Sequence, residues 1–239
     1  MIRLPPRSTL FPYTTLFRSQ AQSNDVRWLQ ERNVHIWDKW EINEDGDWID
    51  ENTGKVLKHF DPSFAHTIGT AYGFIVKKYD LMNKLLNSLK NDKEDRRRVI
   101  SLWQDSELDT AVLPSCVWSS EWDVTDGKLN IWVHQRSCDV PLGLPFNVTQ
   151  YAVLLMMVAK VTGLEPGTID WSIKDAHIYV NQIDGIKEQL NRYETKGSLP
   201  APKLWLNPDI QDFYAFDPKN DVKLIGYEHM GKISFPLAQ

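Results

Sequence analysis

Four short stretches hold residue types that can do chemistry. In VLPSCVWSS, Cys116 offers a thiol, and a thiolate adds readily to electron-poor carbon. RSCDVPLGLPFN, residues 136–147, gathers Arg136, Ser137, Asp139 and Asn147: a cation, a hydroxyl, a carboxylate and an amide close together in the chain. DAHIYVN sets His177 and Tyr179 on one face of an alternating segment, with Ala176, Ile178 and Val180 on the other. The charged turn KEDRRR supplies Arg96, Arg97 and Arg98. Read singly, each has an ordinary structural explanation. A cysteine in an apolar segment is more often a small packed hydrophobe than a nucleophile. A histidine on a strand is usually a satisfied structural residue, and an arginine run is usually a solvated turn. Nothing in the spacing marks a metal site or a nucleotide loop. Cys116 and Cys138 make no CxxC, the six histidines make no HExxH, and neither GxGxxG nor GxxxxGK[ST] occurs.

The elements that must position these residues are legible in outline. Asn24 to Asn33 reads as a short helix leading into VHIWDKW. Residues 41–67 are polar and rich in turn formers, a long excursion rather than core. Ile75, Tyr79, Met82, Leu86 and Leu89 recur at helical spacing, which predicts one helix ending near Asn91 and Asp92. VISLW reads as a strand. KLNIWVHQRSCDV alternates, with Leu129, Ile131 and Val133 opposite Trp132, His134 and Arg136. VTQYAVLLMMVAKVTG is apolar on nearly all sides and stopped by Gly163, the pattern of a buried helix. Ile183, Ile186, Leu190 and Tyr193 suit another helix, and LWL, VKLIGYEH and KISF are strand candidates. With no internal repeat or linker, one α+β domain is expected, built on a large mixed β-sheet covered by helices.

Composition bounds the partners. With 239 residues, 42% hydrophobic and 25% charged, the chain can bury a sizeable core. A net charge of −5 gives no reason to expect nucleic acid or an acidic membrane. No run of 18 apolar residues predicts a bilayer span. Two cysteines and no export signal make the cytoplasm the expected location. The ten tryptophans are mostly explained by packing, with ligand stacking the rarer use.

Taken together, RSCDVPLGLPFN, the apolar helix that follows and DAHIYVNQ resemble the folate-dependent thymidylate synthase family, in order and with family-like spacing from about Gln20 to Gln239. The resemblance implies the fold shared with the dCMP hydroxymethylases. It implies reductive methylation of dUMP to dTMP, with 5,10-methylenetetrahydrofolate as co-substrate and dihydrofolate as by-product. No metal is implied. Cys116 falls at the family's nucleophile, where a thiolate adds to uracil C6 so that C5 becomes electron-rich. Arg136 and Ser137 fall at contacts to the nucleotide phosphate, Arg136 also bordering the sulfur. Arg96 and Arg97 match an arginine pair that reaches the other subunit's phosphate, which implies a homodimer.

Asn147 falls at the residue that selects uracil over cytosine, accepting from N3–H while donating to O4. His177 and Tyr179 match contacts to the sugar hydroxyl, and Asp139 the carboxylate that meets the pterin ring. Trp37, Leu142, Gly143 and Phe146 match folate-pocket positions, as do Ile36, Trp40 and Ala238 in the tail FPLAQ, a segment that closes over the ligands. Tyr72 matches a tyrosine near the reacting carbons that takes part in proton handling. The chain departs from the family at Ser115 and Val117, which stand where Pro-Cys-His has proline and histidine, and at Glu121, which replaces a common glutamine.

The opening MIRLPPRSTLFPYTTLFRS fits neither a secretory signal nor a strand. It resembles the translation of a short-read sequencing adapter at every position except Leu4, so residues 1–19 are expected to be adapter-derived and without a stable fold. Residues 20–239 are then expected to be the catalytic domain without the family's N-terminal segment, which carries a phosphate-loop arginine and a glutamate used in acid–base steps. Two alternatives stay open on the sequence. One is a deoxynucleotide hydroxymethylase of the same family, in which water rather than hydride completes the transfer. The other is an inactive truncated homologue that only dimerises or binds nucleotide, its inactivity expected from the missing N-terminal segment.

Overall fold

The computed structural model describes residues 20–236. The adapter-like stretch 1–19 and the folate-pocket candidate Ala238 lie outside the described residues.

The centre of the fold is a four-stranded sheet in the order β3 (Val99–Ser101), β4 (Val117–Thr125), β5 (Lys128–Gln135) and β7 (Glu165–Ile173). The first two pairings are antiparallel, and β5 and β7 run parallel. Asp126 and Gly127, both with positive φ (51° and 76°), make the tight turn between β4 and β5, a geometry suited to the twist of a hairpin. The parallel pair needs a crossover. It is supplied by α4 (Gly143–Thr162), which packs on β5 and β7.

The alternation in β5 is realised. Leu129, Ile131 and Val133 are at most 1% exposed, while Trp132 on the other face is 49% exposed. Helix α4 is long and apolar enough to cross a membrane by length and composition. Here its Met157, Val158 and Ala159 are fully buried in the main core. The helix ends at Gly163 (φ 69°), where the Leu164 N–H donates to the Ala159 carbonyl at 2.9 Å.

Around this layer stand α1 (Arg27–Gln30), α2 (Gly73–Lys78), α3 (Leu81–Asn91) and α5 (Ile183–Lys196). There are also three two-stranded pairs: β1 (Asp47–Ile49) with β2 (Val56–His59), β6 (Cys138–Asp139) with β8 (Ala176–His177), and β9 (Lys203–Leu206) with β10 (Val222–Ile225).

Several expectations are refined. The single helix over Ile75 to Leu89 is two, α2 and α3, broken at Asp80, which adopts a left-handed conformation (φ 53°). Aspartate tolerates that region better than most residues. Both helices still turn their apolar residues into one core, which is why the periodicity survives the break. The 41–67 segment is not all excursion. It folds as the β1–β2 hairpin around a small core of Ile42, Phe60 and Val112, backed by Trp40, Trp48 and Phe64. KISF forms no strand, and only Ala176 and His177 of DAHIYVN pair in a ladder.

Candidate active site

Cys116 lies half-buried at the entrance to β4, between the loop Pro114–Ser115 and buried Val117. Its backbone is held from two sides. The Cys116 N–H donates to the Tyr72 hydroxyl at 3.1 Å, and the Cys116 carbonyl accepts the Arg136 N–H at 2.9 Å. The Arg136 guanidinium grips the same loop, donating from Nε to the Ser115 carbonyl at 3.1 Å and from Nη2 to the Pro114 carbonyl at 2.8 Å. It also lies 5.7 Å from the Trp103 ring centre. A guanidinium so fixed places permanent positive charge on the loop that leads into Cys116.

Tyr72 is buried and takes a backbone conformation (φ 44°, ψ −98°) that L-residues rarely adopt. The next residue explains how it is held: a Cβ on Gly73 would come within 1.9 Å of the Ser23 carbonyl oxygen, so the two chains can approach only at a glycine. The Tyr72 ring tilts against Trp37 at 5.5 Å, and Trp37 against Trp40 at 5.4 Å, an aromatic wall leading away from Cys116. Ile36, beside Trp37 in sequence, is 38% exposed.

From Arg136 the chain runs through Ser137 into β6, and the β6–β8 ladder sets Asp139 beside His177. Asp139 Oδ1 accepts the Leu142 N–H at 3.0 Å, and Oδ2 accepts from Gln182 Nε2 at 2.9 Å. Gly143 opens α4 between the two polar groups. A Cβ there would lie 3.8 Å from Asn147 Nδ2 and 3.9 Å from Asp139 Cβ, so carboxylate and amide border one space. The His177 and Tyr179 rings meet edge to face at 5.0 Å, and His177 Nδ1 stands 3.5 Å from Asp175 Oδ2. Leu142 and Phe146 are half-buried on either side of Gly143 in sequence. Cys138 is almost fully buried, and burial, with the Asp139 charge adding to it, pushes its thiol up to about 11.

Arg96 and Arg97 are not part of this cluster. Both are exposed in the turn before β3, with Arg97 Nη1 3.6 Å from Asp95. The Arg98 carbonyl accepts the Trp122 N–H, so this turn lies at the far end of β4 from Cys116, roughly 20 Å away along the strand. The third arginine differs from the other two. Arg98 is buried, its Nε donating to Ser88 Oγ at 2.9 Å and its Nη2 to the Asp92 carbonyl.

The sheet face bearing Trp118, Trp132 and Val99 is left exposed, with His134 between the two indole rings and 3.0 Å from Glu121. Sequence reasoning missed Gln182, which is fully buried. Its only sequence signal was its place as the last residue of DAHIYVNQ. Among the described residues, no group of three or more His, Cys, Asp or Glu side chains could hold a metal.

Comparison with known proteins bears on this arrangement. A family model described as thymidylate synthase matches residues 15–239. The thymidylate synthase of Clostridium beijerinckii is 48% identical over 217 residues, covering 91% of this chain and 73% of the relative. That of Bacillus phage phi3T is 40% identical over 228 residues, covering 92% and 72%. Among solved structures, thermostable thymidylate synthase A from Bacillus subtilis superposes with a TM-score of 0.79 at 38% identity, covering 96% of this chain and 76% of that one.

Proposed function

This chain belongs to the thymidylate synthase family, and from that premise we propose how its residues divide the work of converting dUMP to dTMP. The enzyme transfers a one-carbon unit from methylenetetrahydrofolate to C5 of the uracil ring. The observation that carries the assignment of roles is the junction at Cys116, where Tyr72 and Arg136 fix the nucleophile's peptide from opposite sides.

Cys116 Sγ adds as thiolate to C6 and the ring's C5–C6 electron pair shifts toward C5 and O4; C5 gives up its proton as the folate amine departs from the transferred carbon, and arrival of hydride at that carbon re-forms the C5–C6 double bond and expels the thiolate intact. When bound, methylenetetrahydrofolate supplies the methylene and then the hydride. Tyr72, held against Cys116, is placed to pass protons near the reacting carbons. Arg136 and Ser137 bind the nucleotide phosphate. His177 and Tyr179 receive the sugar hydroxyl. Asn147 reads N3–H and O4 and disfavours cytosine, whose donor and acceptor pattern is reversed.

The space bordered by Asp139, Gly143 and Asn147 suits the pterin ring. Asp139 accepts two protein hydrogen bonds and, when ionised, keeps lone pairs for a ring N–H. We assign Leu142, Phe146, Trp37, Trp40 and Ile36 to the apolar surface that the folate meets.

The family works as a homodimer, and we assign the exposed Trp118–Trp132 sheet face to the second copy. Arg96 and Arg97 lie exposed just before Arg98 and the edge strand of that sheet. Their exposure and their distance from Cys116 of their own chain support a role at the partner's phosphate. Two free cysteines suit the reducing cytoplasm, where we place the enzyme.

Product analysis tests the reaction. Incubation with dUMP and methylenetetrahydrofolate should yield dTMP and dihydrofolate. A 5-hydroxymethyl product with tetrahydrofolate released would instead identify a hydroxymethylase.

A further inference from the structure

Gln182 ends the short turn Val180–Gln182 between β8 and α5, and its side chain is fully buried. Its carboxamide uses both ends. Oε1 accepts the Tyr179 N–H at 3.1 Å, while Nε2 donates to Asp139 Oδ2 at 2.9 Å and to the Pro236 carbonyl at 3.2 Å. One amide nitrogen, with its two protons, therefore joins a candidate pterin ligand to the C-terminal segment. A second contact seats that segment independently. A Cβ on Gly185, in the first turn of α5, would come within 2.5 Å of Phe235 Cε1, so the phenyl ring rests on bare helix backbone. The other oxygen of Asp139 is tied to the Leu142 N–H. The carboxylate plane is thus set by one bond from the head of α4 and one from Gln182.

We propose that Gln182 is a positioning residue for folate binding: its amide couples the aim of the Asp139 carboxylate to the seating of Phe235 and Pro236. This rests on the reading of Asp139 as the pterin contact. Coupling through a shared group is reciprocal, so a ligand that orders Asp139 favours the seated tail, and a seated tail favours that ligand. A glutamine that merely filled a turn would need only its bond to Tyr179. The two donor bonds lead instead to the site and to the tail.

Three variants of the full chain test this, each read by the affinity for dUMP, the affinity for methylenetetrahydrofolate in the presence of dUMP, and amide hydrogen exchange at residues 232–235. Gln182→Leu removes all three bonds at similar volume. It should weaken folate binding about tenfold, the scale of one lost hydrogen bond to a charged group, while dUMP affinity stays within about twofold. Tail exchange should rise in the same variant. Gly185→Ala leaves the carboxamide in place, favours the helix and displaces the Phe235 ring. It should reproduce the weaker folate binding and faster tail exchange, and it decides the matter alone should Gln182→Leu fail to fold. Asp139→Asn separates the layers of the argument. Unchanged folate affinity there overturns the reading of Asp139 and the coupling with it. Weakened affinity there, with Gln182→Leu or Gly185→Ala indistinguishable from the parent, overturns the coupling alone. Equal losses for dUMP and folate in Gly185→Ala would also overturn it.

Discussion

The hydroxyl of Tyr72 accepts the backbone N–H of Cys116 at 3.1 Å, so a residue far upstream in the chain fixes the peptide that presents the thiol. Removing that acceptor leaves a half-buried N–H without its partner and loosens the loop that Arg136 grips from the other side. Tyr72→Phe should therefore lower kcat by about 10- to 100-fold, equivalent to roughly 1–3 kcal/mol, with little change in KM for dUMP. Steady-state kinetics checks this, and an unchanged kcat would mean that the contact positions nothing.

Asn147 and Asp139 both border the space beside Gly143. An amide at this position matches uracil, whereas a protonatable carboxylate can accept from the cytosine amino group and donate to ring N3. Asn147→Asp should cut kcat/KM for dUMP by about 100-fold or more and raise relative activity toward dCMP. Competition between the two nucleotides gives the ratio directly, and a ratio that does not move would remove Asn147 from the selectivity role.

The two thiols should part company in reactivity. Cys116 is half-exposed, while Cys138 is 1% exposed and its thiol is pushed up to about 11. A thiol reagent at pH 8 should modify Cys116 rapidly and Cys138 only on unfolding, with peptide mapping to identify the site. The sign of the linked effect follows. Because the folded state holds the Cys138 proton more tightly, its contribution to stability is complete below the ordinary thiol value of 9.0 and is lost as the pH rises through about 11. Cys138→Ala should flatten the fall in melting temperature over that window.

What the sequence disclosed and what it hid divide along physical lines. Strand β5 and helix α4 were readable because burial on one face, or on all faces, leaves a period in the chain. The break at Asp80 was not readable, since both halves of the pattern point into the same core. The small core of the 41–67 segment rests on a few apolar residues diluted among polar ones, with Val112 supplied from elsewhere in the chain. Buried Gln182 and Arg98 look like surface residues in sequence, because what satisfies them lies mostly on other elements. Cys116, Asp139, Asn147 and His177 are site candidates by resemblance, and the placement of Asp139 beside His177 rests on the β6–β8 ladder, which pairs only two residues per strand. The departure at Val117 also gains a reason. Its side chain is 1% exposed and belongs to the main core, so a histidine there would have to bury an imidazole.

The central claim is that Cys116 Sγ bonds to the pyrimidine. Intact-protein mass spectrometry after incubation with 5-fluoro-dUMP and methylenetetrahydrofolate measures that bond directly. The parent chain should gain the mass of both ligands, and Cys116→Ser should gain neither while still binding dUMP reversibly. A covalent adduct in the serine variant, or dTMP formed by it at the parent's rate, would contradict the account.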